Sequence, residues 1–292
     1  YYVCSASFFV LAALLASFVS ATMFSPSIPE ALVAIRDRLT LAHALSGVAG
    51  WVGLTIGGTV ITLGPTILRT RMSPDAVSGG VRVLLPWCLS LLLAIAGALL
   101  GVMPLVGAGI LAVGTCAIVG IVYPYAKVLR NKGPREYSAW SFLLGLLWIS
   151  VGVCALGVAS LFVSTPSQLR ALTLMWLPII GIAGFAQLFQ GALSYLMPVV
   201  IGGGPSVVRI GIAIIDWQYS LRLGLRNSTL ILELFLFFTS DSPSVHVLRM
   251  AGWFLVIATF VIDVVIYAKT GVTQARARRA RSETLSESRQ VQ

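Results

Sequence analysis

Long apolar runs separated by short polar interruptions organise this chain. A helix needs about 20 consecutive apolar residues to cross the hydrocarbon core of a bilayer. Eight runs reach or approach that length: 1–23, 41–68, 82–103, 105–126, 139–163, 171–200, 221–239 and 247–268. They predict an all-α fold, a polytopic transmembrane helical bundle of about eight helices over residues 1–268.

The interruptions carry their own signals. Ser25-Pro26 and Ser27-Ile28-Pro29 break the first run. Residues 27–40 read as a short interfacial helix with Glu30, Arg36 and Asp37 facing water. Arg69 and Arg71 close the second run, and the third and fourth meet at Met103-Pro104 as a tight antiparallel hairpin. The sixth run is overlong at thirty residues, so it tilts or breaks near Pro198, before Gly202-Gly203-Gly204-Pro205. Arg222 and Arg226 intrude on the start of the seventh.

Composition sharpens this picture. The 292 residues are 58% hydrophobic and 10% charged, whereas a soluble domain carries about 25% charge. A water-exposed surface cannot be built from so little charge. Net charge is +10, but the basic residues lie in clusters between apolar runs, which argues for a membrane and against nucleic acid. Connections 69–82, 127–136, 201–226 and the tail from 269 hold sixteen of the twenty Lys and Arg; Arg36, Arg38, Arg170 and Arg249 lie in the opposite set. The two sets alternate, as the positive-inside rule requires. The expectation is a multi-pass protein of the cell membrane with a cytoplasmic C-terminus and a disordered basic-polar tail, 269–292, near anionic lipid. The opening Tyr1-Tyr2, already inside an apolar run, reads as a chain that continues upstream.

Few residues offer chemistry. Cys4, Cys88, Cys116 and Cys154 each lie in an apolar run and read as small buried hydrophobes. Gly53 with Gly57, and Gly97 with Gly101, have the spacing of close helix packing. His43 heads a glycine-lined helix and is either a haem or metal ligand or an interfacial histidine; His246 reads as a solvated interface residue. Gln187, Gln190 and Ser194 share one face of the sixth run, with Tyr195 beside it. Buried amides need partners in hydrocarbon, so this face turns into the bundle. It serves either interhelical hydrogen bonds or the lining of a site or proton path. Glu233 is an intramembrane acid, functional by default, either neutral or reaching Arg226, while Asp263 reads as interfacial. No CxxC, HxxxH, P-loop or nucleophile–His–acid set is present.

Two segments carry a resemblance. AHALSGVAGWVGLTIGGTVITLGPTILRTRM, residues 42–72, and AQLFQGALSYLMPVVIGGGPSVVR, residues 186–209, resemble the integral-membrane region of actinobacterial multicopper oxidase and copper-containing nitrite reductase-like proteins. The similarity also runs through GPREYSAWSFLLGLLW, 133–148, and Arg226-Asn227. It departs at Gly47, where the family usually has Asn. More distantly, the region is similar to NnrS-like and haem-copper oxidase subunit I bundles. The resemblance implies further helices upstream and an external cupredoxin domain or redox protein as partner. It also implies a haem or copper for which His43 is the one ligand that carries over. The functional expectation is the membrane module of a copper-linked redox system, anchoring a cupredoxin or exchanging electrons with it. The alternative is a transporter or channel-like protein with a polar site on a broken sixth helix.

The charge split gives a direct test of topology. A reporter fused after Gln292 should read cytoplasmic and one inserted near Pro166 external; both on one side would refute the eight-span arrangement.

Overall fold

The computed structural model describes residues 1–25, 28–70, 74–131, 133–239 and 242–290, and among these its regular structure is all helix, with no strand. The helices are α1 (Tyr2–Phe24), α2 (Glu30–Ala34), α3 (Arg36–Ile67), α4 (Pro74–Leu100), α5 (Met103–Arg130), α6 (Tyr137–Ser160), α7 (Pro166–Ile201), α8 (Pro205–Ile215), α9 (Tyr219–Phe237) and α10 (Pro243–Gln290). Seven of the described helices are long and apolar enough to cross a membrane: α1, α3, α4, α5, α6, α7 and α10. The chain therefore has the architecture of a multi-pass membrane protein. Large apolar side chains such as Phe18, Leu89, Phe254 and Val261 stay uncovered on these helices, as lipid-facing positions do.

Several expected boundaries move. The seventh run forms a helix, α9, but it buries Arg222, Arg226, Asn227 and Glu233 and is too polar to count among the seven. The interfacial helix expected over 27–40 is only Glu30–Ala34, because Arg36 already begins α3. The sixth run does not break at Pro198. It continues as α7 to Ile201 and ends where Gly202 takes φ +71°. Its irregularity lies earlier, in wide π-type turns over Ile179–Ala186; similar turns occupy Leu45–Val52 in α3 and Ile118–Val122 in α5. The tail expected to be disordered from 269 instead continues α10 to Gln290. The reason is docking: Gln274 Nε2 donates to Pro198 O at 2.7 Å, Arg278 to Ile201 O at 2.8 Å and Arg281 to Gly203 O at 3.0 Å. These donors cap the open carbonyls at the end of α7, where cations are favoured. Arg71 and the Pro26-Ser27 break lie outside the described residues.

The chain divides into two compact units. Unit 1 is Tyr1–Gly133 with Leu146–Ile182, and unit 2 is Pro134–Gly145 with Ala183–Gln292.

In unit 1, α4 and α5 form the expected hairpin. Gly101, at φ +77°, makes its turn, and Gly97 lets Leu105 approach. The two glycines thus do different work, one turning the chain and one packing. α1 lies on α3, where Ser5 Oγ donates to Trp51 O at 2.9 Å. Gly107 meets the backbone near Leu161 so closely that a Cβ there would stand 2.7 Å from its nitrogen.

In unit 2, the start of α6 packs on the second half of α7 through Gly145 and Gly191, against Leu188 and Phe142. Helices α8 and α9 both pack on α10. Tyr137, Ile215, Leu223 and Ile266 form a buried apolar cluster around the polar centre described below.

Gly107→Val should destabilise the protein by about 1–3 kcal/mol, the usual cost of overpacking. Gly224, on α9 with open space around it, should accept Ala with a gain of about 0.5–1 kcal/mol. Thermal unfolding in detergent compares the two.

Candidate functional site: a buried arginine–carboxylate centre

The polar centre of unit 2 grows from three helices, α7, α9 and α10, and two helix ends, those of α8 and α6. On α9, Arg222 and Arg226 stand one turn apart and so share a face, with exposures of 4% and 0%. Asp263, on α10, is wholly buried between them. Arg222 Nη1 pairs with Asp263 Oδ1, and Arg226 Nη2 pairs with Oδ2. Each guanidinium is fixed on its other sides. Arg222 donates through Nη2 to Ile215 O and through Nε to Trp217 O at 3.0 Å, closing the carbonyl end of α8. Its guanidinium carbon lies 4.5 Å from the Tyr137 ring centroid. Arg226 Nε donates to Thr259 Oγ1 at 2.9 Å, Nη1 donates to Gln190 Oε1 at 2.8 Å, and its guanidinium lies 3.9 Å over the Phe260 ring. Cation–π contacts of this kind help hold a desolvated cation.

Tyr137 completes the ring of partners. Its hydroxyl donates to Asp263 Oδ2 at 2.7 Å, with Gln190 Oε1 at 3.1 Å. Its backbone N–H donates to Asp216 Oδ1 at 2.8 Å, so an acid from the end of α8 serves the start of α6, where negative charge is favourable.

The amide face expected on the sixth run does turn inward. Gln187, Gln190 and Ser194 are buried. Gln187 and Asn227 exchange amide hydrogen bonds, Nε2 to Oδ1 at 3.2 Å and Nδ2 to Oε1 at 3.3 Å. Ser141 Oγ donates to Gln187 O at 2.8 Å, and Ser194 shares a 2.8 Å hydrogen bond with the Tyr267 hydroxyl. Tyr195 is half-buried and takes no part.

The other sequence candidates sit elsewhere. Glu233 does not reach Arg226, whose donors are committed; its nearest cation is Arg249, at 4.0 Å. Asp263 does not face water, because it is wholly buried among the helices of unit 2. His246 lies exposed in the first turn of α10. The cysteines are free thiols, half-buried.

His43 belongs to unit 1. Its Nδ1 donates to Ala12 O at 2.8 Å, an interhelical bond from α3 to α1. The glycines beside it leave no slot for a flat macrocycle. A Cβ on Gly47 would lie 3.9 Å from that of Ala12, and one on Gly50 only 2.7 Å from Phe8, so α1 covers this face. Among the described residues no three His, Cys, Asp or Glu side chains converge as a metal site. The residues around His43 therefore do not fit a haem seated on the glycine face.

Sequence reasoning found the amide face but missed its ionic half. Arg222 and Arg226 fall by position in the basic connection 201–226, but they are buried, which leaves fourteen basic residues in that set of connections. A signal was present: two arginines four apart in one helix and a lone acid in the next apolar run. No protein family, curated protein or solved structure matches the chain.

The arrangement is one carboxylate chelated by two guanidiniums, with one positive charge in excess. Removing Asp263 alone, as Asp263→Leu, should cost about 3–5 kcal/mol, because it strands two buried cations. The triple variant Arg222→Leu/Arg226→Leu/Asp263→Leu should recover most of that loss in thermal unfolding. Gln187→Leu should cost only about 0.6 kcal/mol, typical of membrane side-chain pairs.

Proposed function

We propose that this chain is a membrane transport protein for a small inorganic anion, with the arginine–carboxylate centre of unit 2 as its binding site. One observation carries the reading: Asp263 occupies, as a built-in anion, a cradle of two buried guanidiniums, the Tyr137 hydroxyl and Gln190. Buried ionisable groups in membrane proteins mark substrate and ion paths, and paired guanidiniums suit oxyanions and halides.

The chemistry follows from competition. While Asp263 is ionised it holds both arginines. A proton on Asp263 removes its charge and frees two cations for an external anion, which Tyr137 can meet with its O–H. Departure of the proton restores Asp263 as the preferred occupant and expels the anion. Proton and anion therefore travel together. Gln187, Asn227 and Ser194 hold the surrounding helices in place.

The protein reconstituted in vesicles with a trapped pH dye tests this. Sodium chloride, nitrate or sulfate added outside should acidify the lumen. Arg226→Leu should reduce that signal to the level of protein-free vesicles. Asp263→Asn should abolish the proton coupling. Equal signals from all four preparations would refute the proposal.

A second reading keeps the expectation from the resemblance, a membrane module of a copper-linked redox system beside an external cupredoxin. It is favoured by the His43 tautomer: Nδ1–H is spent on Ala12 O, which leaves Nε2 as the lone-pair nitrogen, the arrangement of ligating histidines. Any metal there takes its other ligands from outside the described residues. The full-length protein with and without His43→Ala should then differ in copper content or visible absorption. Identical content and spectra would remove His43 from any such role.

A further inference from the structure

Another acid of unit 2 lies outside the centre just described. Glu233 is on α9, two turns beyond Arg226, and only 3% exposed. Neither carboxylate oxygen has a hydrogen-bond partner. Oε1 rests against Gly252 of α10, in the space a Cβ would fill, and the Thr229 methyl also borders that space. Oε2 faces Arg249 Nε at 4.0 Å, beyond hydrogen-bond reach, and that Nε also lacks a partner. The seat thus offers a carboxylate a glycine backbone, a methyl group and one cation held off contact.

We infer that Glu233 is a proton-binding site whose protonated form is the one seated against Gly252. An ionised carboxylate with no donor in such a seat is strongly disfavoured, whereas a neutral acid needs no counter-ion. A metal cation is a poor occupant, since hard cations gather six or more oxygens and Arg249 repels them. α10 is the helix packed on α9 here. Its ionisable groups along this stretch are His246, Arg249 and Asp263, and Asp263 is committed to Arg222 and Arg226. Arg249 is thus the group that answers when the proton leaves. Its Nε then closes from 4.0 Å to the roughly 2.8 Å of a charge-assisted hydrogen bond. Proton release tightens α9 on α10, and proton uptake loosens them. The glycine at 252 is part of the site, because any side chain there would displace the carboxyl group.

This inference does not depend on anion transport, and the test separates the two. The full chain in lipid nanodiscs is treated at neutral pH with dicyclohexylcarbodiimide. A protonated carboxyl adds across the carbodiimide and rearranges to an N-acylurea, with no leaving group. Mass spectrometry should place one adduct on the Glu233 peptide. Glu233→Gln should lose it and keep wild-type thermal stability, as a neutral isostere of a neutral acid. Arg249→Leu should let that labelling persist to a pH about one unit higher, as loss of a nearby opposite charge does. Asp263→Asn should leave Glu233 labelling in place even if every anion flux has failed. In parallel, infrared difference spectra should show a protonated-carboxyl C=O band that vanishes in Glu233→Gln. Absence of both adduct and band in folded wild-type and Arg249→Leu protein would overturn the inference. So would a large loss of stability in Glu233→Gln, which would mark a permanent ion pair instead.

Discussion

A carboxylate held between two guanidiniums, out of reach of water, organises unit 2. Asp263 cannot be buried without Arg222 and Arg226, and neither arginine can be buried without it. Their remaining donors then dictate what surrounds them. Arg222 requires carbonyls and finds them at the end of α8; Arg226 requires a hydroxyl and an amide and finds Thr259 and Gln190. Tyr137 closes the remaining side and joins α6 to the same point. Helices α6, α7, α8, α9 and α10 therefore meet at one ionic locus whose directions are set by hydrogen-bond geometry. Apolar packing around Ile215, Leu223 and Ile266 fills the space between. In hydrocarbon, where apolar surfaces gain little by leaving lipid, such a locus selects one arrangement of helices far better than packing alone.

Legibility in the sequence followed the physics of each feature. Apolar runs report lipid contact directly, so the helical class and the hairpin at Met103-Pro104 could be read from residues. The inward face of Gln187, Gln190 and Ser194 was also readable, because amides cannot face lipid. What stayed hidden was pairing across helices. Arg222 and Arg226 sit beside a polar connection, and hydropathy alone assigns such residues to water. Only the approach of Asp263, 37 residues after Arg226, makes their burial intelligible, and a non-local partner leaves no local pattern. The helical tail was missed for a related reason. Residues 274–281 look disordered in composition, but their donors meet carbonyls at the end of α7 that no window on the tail could reveal.

Glycine performs three separate tasks that share one sequence signature. Gly145 and Gly191 bring helix backbones together, Gly101 and Gly202 turn the chain, and Gly252 makes room for a carboxyl group. Spacing rules capture only the first. The glycines beside His43 illustrate the limit: a row that looks open along one helix is filled by Phe8 and Ala12 of its neighbour.

The length of α10 has a mechanical meaning. Its 48 residues make a rod about 72 Å long at 1.5 Å per residue, more than twice the ~30 Å hydrocarbon thickness. One rod carries Arg249 near its start, Asp263 in its body, and Gln274, Arg278 and Arg281 against the glycine turn at 202–204. A rigid rod transmits rotation along its whole length. A small change of tilt where Glu233 and Arg249 meet would be delivered along the rod to the hydrogen bonds that hold Gln274, Arg278 and Arg281 on the end of α7.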